Sequence, residues 1–182
     1  MKTIYILLTR TGTVPSKLIH AIKGVKFTHA SIAIEPRTDR FFSYARRKPH
    51  NILIAGFIQE NLHKGVFSWY PNNPCAVFSL EITDEAYNKI QNQIEYYMEQ
   101  CENATYNITG FLTMIFGKGN RRELKHTCSQ FVATMLEKSD AVKLPKPSQT
   151  ILPTDFLNLP NLKPVYEGTL GNCYLSNDKQ LK

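Results

Sequence analysis

No stretch of this sequence approaches the roughly 18 consecutive apolar residues of a membrane-spanning helix. The first apolar run, Ile4 to Leu8, stops after five residues at Thr9. That is also too short for the apolar centre of a secretion signal, and no small-residue cleavage site follows. The expectation is a cytoplasmic protein. Cysteine is sparse and scattered: Cys75, Cys101, Cys128 and Cys173 form no Cys-x-x-Cys pair. Without a secretion signal they read as reduced thiols, not as a disulfide framework. His126 and Cys128 are two residues apart, but no second pair at zinc spacing accompanies them, so no metal site is expected. Acidic residues are the minority charge, 15 against 22 basic ones, a formal balance of +7. The basic residues are mostly scattered; local clusters occur at Arg46-Arg47-Lys48 and from Lys118 to Lys125, which includes Arg121 and Arg122. A basic surface suits nucleic acid, anionic lipid or an acidic substrate, and equally a solvated face that keeps the protein in solution. No nucleic-acid-binding motif is present, nor the aromatic-basic interleaving of single-strand binders. Repeats, linkers and low-complexity segments are absent.

What is present is an ordinary globular composition. With 42% apolar residues in 182, the chain can bury one substantial core, and residues 1–182 read as a single domain. Residues 3–9 are β-branched and aromatic, the pattern of a buried strand. From Thr28 to Glu35 the sequence alternates: Ala30, Ile32 and Ile34 point one way, His29, Ser31 and Ala33 the other, a half-buried strand. Pro36 to Asp39 reads as a turn, followed by a returning strand from Arg40 to Ala45. Further strands are expected at 52–58, 76–82 and 165–169. Thr83 is a helix cap followed by Asp84 and Glu85, and helical spacing runs through Ala86, Ile90, Ile94, Tyr97 and Cys101. The apolar stretch from Asn107 to Phe116 reads as a short helix. Strands and helices in this order predict an α+β domain.

The segment from His126 to Glu137 carries the strongest chemical signal. Cys128, Phe131, Val132, Met135 and Leu136 fall at i, i+3, i+4, i+7 and i+8, one face of a helix whose first turn holds Cys128. A thiol there lies at the positive end of the helix dipole, beside backbone N–H groups, which favours the thiolate and offers donors for an oxyanion. The same spacing suits a small buried hydrophobe. A nucleophilic cysteine needs a base, most often histidine. Among five histidines, His20 lies in a short helix, His50 and His63 in polar stretches, and His126 beside the cysteine. His29 alone starts a strand, which would hold its ring on a rigid element.

His29-Ala-Ser-Ile-Ala-Ile on a strand, then Cys128-Ser-Gln-Phe-Val-Ala opening a helix, resembles the permuted branch of the NlpC papain-like superfamily. That branch includes the YiiX-like proteins and the lecithin:retinol acyltransferase-like enzymes. There the histidine strand precedes the cysteine helix, the reverse of papain. The start from Tyr5 to Thr13 and the tail from Lys146 to Asp155 also resemble framework segments of YiiX-like proteins. The resemblance implies a circularly permuted papain-like fold, an antiparallel sheet packed against the Cys-bearing helix, and a cysteine hydrolase. Cys128 would attack a carbonyl, His29 would move the proton, and a thioester would form; no cofactor and no metal are implied.

The third member departs from the pattern. Relatives place a polar residue on the next strand to orient the histidine. Glu35 lies six residues along the same strand, about 20 Å away. A hairpin at 36–39 would return residues near 43–46 beside His29, which offers Ser43, Tyr44 or Arg46. Ser43 is chosen, since its hydroxyl would accept the imidazole N–H. A bare dyad, a residue from elsewhere such as Glu60, or an impaired site are the alternatives. The implied substrate is a small molecule, peptide or lipid with an amide or ester carbonyl. Secreted relatives cut peptidoglycan, which the missing signal disfavours here. The apolar segment Phe111 to Phe116 beside the basic run ending at Lys125 suits a membrane surface, or core packing. The competing reading is a binding module that keeps a papain-like cleft without catalysis.

Overall fold

The computed structural model describes residues 1–11, 20–21, 23–48, 51–107 and 124–181. The helix expected from Asn107 to Phe116 lies outside them beyond Asn107, as do the basic residues Lys118, Arg121 and Arg122. Strand β1 (Lys2–Thr9) pairs antiparallel with β2 (His29–Ala33) on one side. On its other side it pairs with β5 (Pro74–Ile82). Strands β3 (Phe41–Lys48) and β4 (Asn51–Glu60) extend the sheet beyond β2. The short strands β6 (Thr105–Tyr106) and β7 (Lys125–His126) close that end, and β8 (Lys163–Thr169) closes the other. The eight strands run in the order β7-β6-β4-β3-β2-β1-β5-β8. Every pairing is antiparallel except β6 with β7. Helices α1 (Asp84–Glu99) and α2 (Cys128–Lys138) complete an α+β fold. No helix among the described residues is long and apolar enough to cross a membrane.

Alternation along the strands divides the interior into two cores. Ile4, Ile6 and Leu8 of β1 and Ala30 and Ile32 of β2 face the helices, where Ile90, Ile94, Phe131, Val132 and Met135 meet them. Each of these isoleucine, leucine, valine, phenylalanine and methionine side chains contributes about 1.5–3 kcal/mol on burial. Leu7, Ala33, Phe41 and Val77 face the other way, and Leu62, Phe67, Leu170, Cys173 and Leu175 cover them. The C-terminal tail is tied down to hold this cover. The Thr38 N–H and hydroxyl both donate to Asp178 Oδ1 at 2.9 Å, and the Asn177 N–H donates to the Pro36 carbonyl at 3.2 Å.

Three sequence expectations need correction. Strand β2 is buried at all five positions, not on one face; the second core covers the side that carries His29 and Ser31. Helix α1, capped by the Thr83 hydroxyl as expected, ends at Glu99, so Cys101 falls off its apolar stripe and is exposed. Helix α2 is buried all round from Cys128 to Leu136, because the tail packs against it. Its polar side chains are satisfied there: Ser129 Oγ donates to the Ile151 carbonyl at 2.6 Å, and Gln130 Nε2 to the Gln149 carbonyl at 2.9 Å.

Gly56 marks the closest approach in the sheet. A Cβ at this position would run into the Ala104 carbonyl oxygen, to which Arg47 also donates at 2.8 Å. Gly56→Ala should therefore cost roughly 1–3 kcal/mol, read as a lower urea midpoint at unchanged slope. A midpoint equal to wild type would show that β6 yields freely.

Candidate active site

His29 is the first residue of β2 and Cys128 the first of α2, so two element starts converge at one rim of the fold. Helix α2 begins there because Thr127 adopts an extended backbone and caps it. Its hydroxyl accepts the Gln130 N–H at 3.3 Å, and the Gln130 side-chain oxygen accepts the Thr127 N–H at 3.0 Å. This reciprocal box leaves Cys128 in the first turn, at the positive end of the helix.

Cys128 and the imidazole of His29 lie close enough to interact, chiefly by charge. On the other side of the ring, Nε2 lies 2.9 Å from Glu60 Oε1 and 3.1 Å from Oε2. A carboxylate only accepts, so Nε2 is the donor. Ser31, two residues along β2 and so on the same face, places its hydroxyl 3.1 Å from Nε2 and donates to Glu60 Oε2. Phe67 packs its ring edgewise on the imidazole, with centroids 5.8 Å apart. Cys128, His29 and Glu60 are only 6%, 5% and 6% exposed, so water screens these charges little. Burial alone would lower the His29 pKa. The charge of Glu60, the charge and hydrogen bond of Cys128, and the Glu60 hydrogen bond together outweigh it and push the group up to about 10. Tyr106, beside the sulfur on β6, has its phenol pushed well up by burial and by Cys128, so it stays an O–H donor.

The group that engages His29 Nε2 comes from β4, not β3. Ser43 lies on β3, but its hydroxyl donates to the Ala30 carbonyl at 2.7 Å, spending its hydrogen on the strand it faces. The register explains this: Ile32 pairs with Phe42, which in the same count sets Ser43 opposite Ser31, two residues from His29. Glu60 ends β4, opposite Phe41, on the face that carries Ser31. The expected strand at 52–58 stopped two residues short of it. Glu35 pairs instead with Arg37 and Arg40. His126, though near Cys128 in sequence, points into the aromatic core, with Nε2 2.9 Å from the Tyr97 hydroxyl and its ring edgewise on Tyr44.

The remaining cysteines are free. Cys75 and Cys173 are buried together in the second core, where their mutual hydrogen bond and burial push the Cys75 thiol up. Among the described residues no group of three His, Cys, Asp or Glu side chains is placed to hold a metal ion. No protein-family model matches the chain, and no curated protein matches it.

Proposed function

We propose that this chain is a cysteine hydrolase of the permuted papain-like kind, with Cys128 as nucleophile, His29 as base and acid, and Glu60 as the group that orients His29. One observation carries the reading: an unbroken chain of contacts from sulfur to imidazole to carboxylate, contributed by α2, β2 and β4 and closed off from water. Nucleophilic catalysis needs this arrangement of nucleophile, base and orienting group. A module that only binds has no use for a protonated imidazole held between a thiol and a carboxylate.

The Cys128 sulfur attacks the carbonyl carbon of an amide or ester, forming a C–S bond and an oxyanion at the start of α2, where the dipole favours negative charge. Collapse breaks the bond to the leaving group, which takes the proton from His29. Water then attacks the thioester, giving its proton to His29 and expelling the sulfur. Glu60 keeps Nε2 engaged throughout, so the ring presents Nδ1 to the sulfur and to the leaving group.

Incubation with 4-nitrophenyl butyrate tests the reading without a mutation. Rapid quenching and peptide mass spectrometry should find a butyryl thioester on Cys128. Acylation of Cys101 alone, or turnover with no adduct on Cys128, would sink it.

A further inference from the structure

One cavity shares a wall with this site. It encloses about 270 Å³ where the end of β3, the end of β4 and the loop after β4 meet. Glu60 and Phe67 form one side, and both touch the His29 ring. Arg46, Arg47 and Lys64 also line it, and Ile58 adds apolar surface. The volume lies just below the roughly 300–1,000 Å³ typical of ligand sites, so it suits one substituent and not a whole large ligand.

Among the described residues Arg47 and Lys64 face one carboxylate here, and both oxygens of that carboxylate are already engaged, by His29 and by Ser31. Lys64 pairs with no carboxylate among the described residues. Arg47 is held in place by the bond it donates to Ala104, and a guanidinium has further N–H donors in a fixed fork. A positive, partly enclosed cavity with an apolar side favours a ligand with a short apolar stem and an anionic end. We infer that this cavity binds the carboxylate or phosphate group of an anionic substrate whose carbonyl Cys128 attacks. Calling the ligand a substrate rests on the hydrolase reading; the anion site itself does not.

Two measurements on the intact protein separate these claims. Isothermal titration with phenyl phosphate and with glutarate should show saturable binding of at least one, and their relative affinities choose between phosphate and carboxylate. Lys64→Glu should weaken it roughly tenfold and Lys64→Arg should restore it, as expected for a charge-assisted contact. No saturable binding of either anion, or equal binding by Lys64→Glu, overturns the site. Binding to vesicles of anionic phosphatidylglycerol without binding of soluble phenyl phosphate also overturns it, assigning the charge to a membrane surface.

The second measurement compares the mono-4-nitrophenyl ester of glutarate with 4-nitrophenyl pentanoate. The anionic ester should have roughly tenfold higher kcat/KM, and Lys64→Glu should bring the ratio near one. Equal rates in the wild type overturn the substrate assignment. Hydrolysis of neither ester above a Cys128→Ser background, with anion binding intact, defeats the hydrolase reading and leaves the anion site standing.

Discussion

Replacing His29 with alanine should slow hydrolysis of a 4-nitrophenyl ester by roughly 10²–10⁴-fold, the usual worth of a positioned acid and base. The same variant should slow alkylation of Cys128 at pH 6, whereas a merely loosened fold would expose the sulfur and speed it. A free thiol, with pKa of about 8.5, is only about 0.3% thiolate at pH 6. In the wild type the His29 group is held charged up to about 10, with its charge directed at the sulfur, which favours the thiolate. Iodoacetamide should therefore react with Cys128 roughly tenfold faster at pH 6 in the wild type than in His29→Ala, an advantage held down because a stabilised thiolate is also a weaker nucleophile. Cys101, exposed on the same molecule, serves as the solvent-facing reference. Equal alkylation rates for wild type and variant at pH 6 would show that His29 does not activate the sulfur.

The two ends of this contact were legible in the sequence because each depends on local pattern. The Cys128 stripe at i, i+3, i+4 and i+7 is a helix signal, and Thr127 three residues before Gln130 supplies the cap. His29 sits in an alternating run that forms a strand in almost any context. The link between them is a tertiary fact. Glu60 reaches His29 from the second strand over, through the registers of two hairpins, and a slip of one residue in either would turn it to the opposite face. The alternation in β2 signals one polar face, yet that face is buried. Its polar residues pair with each other and with Glu60, and a tail some 140 residues away covers them. Cys101 shows the opposite error: spacing extended the helix where the backbone had already ended it.

Removing the Glu60 carboxylate should cost the fold about 3–5 kcal/mol, the penalty for leaving one member of a buried ion pair without the other. Glu60→Ala combines that penalty with a cavity, so Glu60→Gln, which keeps the shape, isolates the charge. The sign of the pH dependence tests the cause. His29 binds its proton more tightly in the fold than in the unfolded chain, where its pKa is near 6.5. The stabilisation is therefore complete below about pH 6.5 and is lost as pH rises through the folded value of about 10. Working in a Cys128→Ser background removes the sulfur's own proton from the balance. There, with Glu60 alone holding the proton on His29, urea unfolding should show stability falling as pH rises above about 6.5, by at most about 1.4 kcal/mol per unit. Adding Glu60→Gln should flatten the slope or reverse it, since burial, the force that lowers the His29 pKa, then acts without the opposing carboxylate. A slope that survives the glutamine would mean that some group other than Glu60 holds the proton on His29. The orienting role would then pass to that group, and the sulfur–imidazole contact would remain as a dyad.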